Sequence, residues 1–108
     1  MNWLFYDTIY TERFMDLPSQ DDNQAGYDRG SVLNKIDNFR NKNYMINHGT
    51  ADDNVHYQQS MMLIKALELN DIVFKQQSFP DQFHGISEMT EFLYNSMENF
   101  WLDCFGLN

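Results

Sequence analysis

The residues best suited to chemistry stand in two short words, His48-Gly49-Thr50-Ala51-Asp52-Asp53-Asn54-Val55-His56 and, further on, Phe83-His84-Gly85. A carboxylate bonded to one nitrogen of an imidazole fixes its tautomer and stabilises the imidazolium, which leaves the other nitrogen free to take a proton from a hydroxyl. An acid followed along the chain by a base could form such a pair, and spacing leaves Asp52 and Asp53 both open as the acid. His48, Asp52, Asp53, His56 and His84 are also metal-ligand types, but no pair has a ligand spacing such as H-E-x-x-H, so metal is the weaker reading. Ordinary turn residues are the bland alternative.

For the two words to meet, both must leave a sheet at the same end. Trp3, Tyr6 and Tyr10 fall at i, i+3 and i+7, which predicts a helix over about residues 5–15 with three rings on one face. Residues 16–30, rich in Asp, Asn and Gly, read as a long loop, and Ser31 as the N-cap of a short helical stretch to residue 38. Tyr44-Met45-Ile46 reads as a short buried strand ended by Asn47-His48-Gly49, with a loop over residues 50–55. Tyr57, Met61, Ile64 and Leu67 mark the buried stripe of a helix over residues 57–69. Residues 72–78 read as a second strand closed by Pro80-Asp81, and Gly85 as the residue that lets the following loop turn. Met89, Phe92, Leu93, Met97, Phe100, Trp101, Cys104 and Phe105 recur at spacings of three and four, the mark of a last helix with a wide apolar face.

Strands alternating with helices imply an α/β class with parallel strands. Two strands cannot cover so much helical surface, so the expectation is the terminal part of a larger sheet. In open α/β sheets the ligand site lies beyond the C-terminal strand ends, where both words fall. Acid after one strand and base after the next is the chain order of an α/β-hydrolase triad, whose serine comes first.

Charge narrows the partners. A net charge of -9, from 16 acidic and 7 basic residues, argues against nucleic acid or an anionic membrane surface. No apolar stretch is long enough to span a bilayer, and residues 1–7 lack the pattern of a signal peptide. Cys104, alone, is either a buried thiol or half of a bridge whose partner lies elsewhere.

Read whole, the words resemble the dipeptidyl peptidase IV family of serine peptidases, of prolyl oligopeptidase type, which includes fibroblast activation protein. Trp3 with Tyr6-Asp7, Tyr10-Thr11-Glu12-Arg13-Phe14-Met15 and Leu17-Pro18 resemble that family's W-x-x-YD-x-x-YTERYM-x-LP segment. His48 to His56, with Gln58-Gln59-Ser60, resembles its acid loop, His84-Gly85-Ile86 its base loop, and Cys104-Phe105 its chain end. The similarity covers essentially all 108 residues. It implies the C-terminal part of an α/β-hydrolase fold, with residues 1–108 as the C-terminal portion of a peptidase catalytic domain. The triad acid is then Asp52 and not Asp53, and the base His84. Asn54 would hold a substrate main-chain carbonyl, and Trp3, Tyr6, Tyr10 and Val55 would wall the pocket for a penultimate proline, although the same rings could simply be core.

Three departures stand out: Tyr57 where the family has Phe, Asn47 where it has an aliphatic residue, and Gln82-Phe83 where it often has acidic ones. None of Ser19, Ser31, Ser60, Ser78, Ser87 or Ser96 sits in a G-x-S-x-G elbow, so the nucleophile is expected outside this chain, and the resemblance implies an upstream hydrolase segment and a β-propeller there as well. By the same resemblance Cys104 pairs with an upstream Cys, no cofactor or metal is needed, and the parent is a homodimer. It would be extracellular, either secreted or the ectodomain of a type II membrane protein. Substrates would be peptides with Pro or Ala second. A catalytically dead homologue acting as a regulatory subunit and a free-standing small binding protein are the rival readings.

Overall fold

The computed structural model describes residues 2–108. Neither strand carries an alternating apolar stripe, so pairing is what places them. Strands β1 (Met45–Gly49) and β2 (Lys75–Phe79) pair in parallel, with Met45 opposite Lys75 and Gly49 opposite Phe79. Both therefore end on the same level, and the loops carrying Asp52 and His84 leave the sheet side by side. Helix α3 (Tyr57–Leu69) makes the crossover between them, as residues 57–69 predicted, and Asn70 ends it.

The apolar runs misplace the strands. Ile72, Val73 and Phe74 precede β2 instead of opening it, and Ile72 is buried against Leu67, Leu63 and Ile36. That cluster is the main core, closed by Val32, Leu33, Phe39, Tyr44 and Ile46. It lies between α3 and a 3-10 helix, Val32–Phe39, that Ser31 precedes without capping it through its side chain. The face α3 buries is also rotated from the predicted stripe. Gln59, Ser60, Leu63, Ile64 and Leu67 are buried, whereas Tyr57 and Met61 are only half-buried. Gln59 is inside because its amide has partners there: Nε2 donates to the carbonyls of Asn2 and Phe5 at 3.0 and 3.1 Å, and Oε1 accepts from the Asn2 amide at 2.7 Å.

Toward the N-terminus the predicted single helix is two elements. A 3-10 turn spans Trp3–Phe5, and helix α1 (Thr8–Met15) starts only after Asp7, whose carboxylate accepts the Tyr10 amide at 2.8 Å as an N-cap. The expected loop over residues 16–30 contains helix α2 (Gln24–Gly30), pinned by buried Tyr27, whose hydroxyl donates to the Asp16 carbonyl at 2.6 Å.

The last helix, α4 (Thr90–Phe105), follows a 3-10 turn at Ser87–Met89. It touches β2 through Phe79 against Phe92, and through Lys75, whose Nζ lies 2.7 Å from Asp103 Oδ2. None of its residues is buried, and Phe92, Trp101 and Phe105 are exposed. No helix among the described residues is long and apolar enough to cross a membrane.

Candidate active site

Gly49 closes β1 where two backbones nearly touch. A Cβ there would lie 2.2 Å from the Gln82 carbonyl oxygen and 2.7 Å from that of Phe83, so only glycine lets the second loop pass. The loops are then stitched together: the Ala51 amide donates to the Gln82 carbonyl at 3.0 Å, and the Asp81 amide to Thr50 Oγ1 at 2.9 Å. Gln82, buried, ties the second loop onward, accepting the Glu88 amide at 3.1 Å and donating to its carboxylate at 2.9 Å. Its role here is therefore packing of the loop, and Phe83 beside it is exposed. The turn falls where expected: the Ile86 amide donates to the Phe83 carbonyl at 3.1 Å across His84 and Gly85. A Cβ added at Gly85 would have open space around it among the described residues, and the next residue, Ile86, takes a left-handed φ of 47°, unusual for a β-branched residue.

Within this frame Asp52 Oδ2 lies 2.8 Å from His84 Nδ1. Asp52 Oδ1 accepts the Asn54 and Val55 amides, each at 2.9 Å, a tight turn that curls the loop around its own carboxylate. The Asp52 side chain is 4% exposed and that of His84 59%, so the carboxylate is sealed while the imidazole faces outward. Burial alone would push the Asp52 carboxyl up; the hydrogen bonds from His84 and the two amides outweigh it, leaving its pKa below the ordinary carboxylate value. Among the described residues no partner occupies His84 Nε2. A carboxylate on Nδ1 and an open Nε2 form an arrangement able to take a proton from a hydroxyl.

Asp53 is exposed and lies outside the pair, as does His56. His48, entertained as a metal ligand, instead lies against the acid. Its Nε2 is 3.1 Å from Asp52 Oδ2 and 2.7 Å from the Val55 carbonyl, and its Nδ1 meets Ser60 Oγ. Among the described residues no three His, Cys, Asp or Glu side chains form a metal-binding group. His48, Asp52, Val55, Ser60, His84 and Ile86 line one cavity of about 260 Å³.

Trp3, Tyr6 and Tyr10 lie outside that cavity and form their own cluster. Trp3 stacks on Tyr10 with ring planes 8° apart, and Tyr6 meets both edge-on, at 6.4 and 5.7 Å. They gather across a turn and a helix, not along one helical face. Among the described residues the cluster reaches the acid loop through a bond from the Tyr6 hydroxyl to Asn54 Oδ1 at 2.9 Å. That bond leaves the exposed Asn54 NH₂ free to donate. Asn47 Oδ1, from the residue that replaces an aliphatic one, is buried without a partner among the described residues.

The model of the prolyl oligopeptidase family matches residues 1–108. Venom dipeptidyl peptidase 4 of Apis mellifera is 50% identical over 105 residues, covering 97% of this chain and 14% of that protein. Prolyl endopeptidase FAP of Homo sapiens is 44% identical over 108 residues, covering 99% of this chain and 14% of that protein. Among solved structures, dipeptidyl peptidase 4 of Porphyromonas gingivalis superposes with a TM-score of 0.87 at 36% identity, over 94% of this chain and 14% of that one. The architecture is thus that of the C-terminal α/β-hydrolase part of such a protein, and the chain spans about a seventh of the length of these relatives.

Proposed function

The chain belongs to the prolyl oligopeptidase family, and from that premise we propose that it supplies the acid and the base of a serine-type post-proline dipeptidyl aminopeptidase. The observation that carries this reading is the Asp52–His84 contact of 2.8 Å beside an open Nε2. Asp52 holds the His84 ring with Nδ1 protonated. Nε2 then takes the proton of a serine supplied from outside residues 1–108 as its oxygen attacks the scissile carbonyl, and returns it to the leaving amine. The carboxylate stabilises the imidazolium between those steps.

Asn54 holds a substrate main-chain carbonyl through its NH₂, and the Tyr6 hydroxyl on Oδ1 supports that orientation. Trp3, Tyr6, Tyr10 and Val55 give a proline ring its apolar walls. Substrates are peptides with Pro or Ala second. The parent is extracellular, secreted or anchored as an ectodomain, a reading supported by the venom origin in the name of the Apis mellifera relative. It acts as a homodimer.

The test uses the full-length protein on a Gly-Pro chromogenic dipeptide. His84→Ala should lower kcat by about 10⁴-fold or more with a smaller effect on KM. Unchanged turnover would remove His84 from the role of base, and a full-length sequence whose G-x-S-x-G elbow has lost its serine would favour the non-catalytic homologue.

A further inference from the structure

We infer that His48 is a positioning residue for the reaction proposed above, its Nε2–H filling the last acceptor site of Asp52 and locking the acid loop to the Val55 carbonyl; the inference rests on that reading of Asp52 and His84. An ionised carboxylate offers about four acceptor sites on its two oxygens. In Asp52 the Asn54 and Val55 amides occupy Oδ1, and His84 Nδ1 at 2.8 Å takes half of Oδ2. His48 Nε2, 3.1 Å away, takes the other half. With the side chain only 4% exposed, water has little access to replace a missing donor.

The protonated atom of His48 follows from its neighbours. Nε2 faces two acceptors, the Val55 carbonyl at 2.7 Å and the Asp52 carboxylate, so it must carry a hydrogen. In the neutral ring Nδ1 is then an acceptor and takes the hydroxyl hydrogen of buried Ser60. The ring is further held edge-on by Tyr57 at a centroid distance of 5.4 Å. Tyr57 is itself tied through its hydroxyl to Ser78 Oγ at 2.6 Å, and Ser78 is the residue opposite His48 in the sheet. The hydroxyl that distinguishes Tyr57 from the family's Phe thus anchors the start of α3 to β2 around His48. Strand and helix together aim one N–H at the back of the acid that orients His84.

The experiment compares full-length wild type, His48→Leu and His48→Gln on a Gly-Pro chromogenic dipeptide. Leu keeps the volume without a donor, whereas the Gln amide can place an N–H near the position of Nε2. Loss of one hydrogen bond to a charged group predicts that His48→Leu lowers kcat by about 10- to 100-fold with KM within about threefold. His48→Gln should stay within about fivefold of wild type. If His48→Leu does not fold, His48→Asn replaces it: the shorter amide leaves its N–H out of reach of Asp52, so its kcat should fall while that of His48→Gln holds. Wild-type kcat in the Leu or Asn variant, or an equal fall in the Gln variant, would overturn the inference. A wild type that turns nothing over would overturn the peptidase reading and this inference with it.

Discussion

Asp52 stays charged in a nearly closed site because every acceptor position on it is met by a donor, and that has a consequence for stability. Burial raises its pKa, the bonds from His84, Asn54 and Val55 lower it further, and the net direction is down from 3.8. A folded-state value below the unfolded one contributes stability that is fully present above the unfolded value and lost as pH falls through the folded one. The melting temperature of wild type should therefore exceed that of Asp52→Asn at neutral pH, and the gap should narrow as pH drops below about 3.9. A gap independent of pH would mean that these bonds do not favour the ionised form. Nearby, Tyr6→Phe removes the hydroxyl that holds Asn54 Oδ1. One neutral hydrogen bond predicts a fall in kcat/KM of about 2- to 10-fold, and steady-state kinetics on the Gly-Pro substrate measure it. Strand-loop order proposed an Asp and a His from the sequence, while the choice of Asp52 over Asp53 needed the resemblance. As a residue type His48 reads as a possible ligand, and its contact with the acid is not legible. The sequence reads His48 as part of the turn that ends the strand, whereas it lies inside β1, where a half-buried polar ring needs partners on its nitrogens that Val55, Asp52 and Ser60 provide.

Elements bring these residues together through their ends more than their middles. Gly49 at the exit of β1 faces two carbonyl oxygens of the base loop, at 2.2 and 2.7 Å from where a Cβ would stand. Gly49→Ala should push the two loops apart and destabilise the full-length protein by about 1–3 kcal/mol, with a lowered kcat because His84 moves with its loop. Thermal unfolding checks the first part, and an unchanged melting temperature would contradict the close approach. Helix α3 was readable to its ends because its apolar spacing coincides with a polar N-terminal loop and an Asn70 stop. The strands were not, because Asn47-His48 and Lys75 to Ser78 are polar residues whose place is fixed by pairing, and no periodicity reports pairing. Helix α2 was hidden among turn-forming residues that Tyr27 holds in place through a long-range bond. The predicted aromatic face split because Asp7, an N-cap, begins α1 between Tyr6 and Tyr10.

The molecule as a whole is extended for its length. Its radius of gyration is 16.0 Å, against roughly 13 Å for a compact chain of this size, and its extents are 52 × 32 × 21 Å. Ile9 and Phe14 on α1, and Phe92, Trp101 and Phe105 on α4, are exposed. The two-stranded sheet leaves an unpaired edge on each side. Expressed alone, residues 1–108 should bind an apolar dye and associate, which scattering and dye fluorescence would register; a dye-silent monomer with one cooperative transition would instead support an independent small domain. The alternation of strands and helices made the α/β class readable, but the aromatic residues that face outward carry the same sequence pattern as residues that face a core. In the proposed reaction the serine comes from outside residues 1–108, so the central test belongs to the full-length protein. Turnover of a Gly-Pro chromogenic dipeptide by Asp52→Asn and Asp53→Asn compares the two adjacent carboxylates, of which only Asp52 touches His84. Asp52→Asn should lower kcat by about 10⁴-fold and Asp53→Asn by less than about threefold; equal losses, or the reverse order, would contradict Asp52 and His84 as the working acid and base.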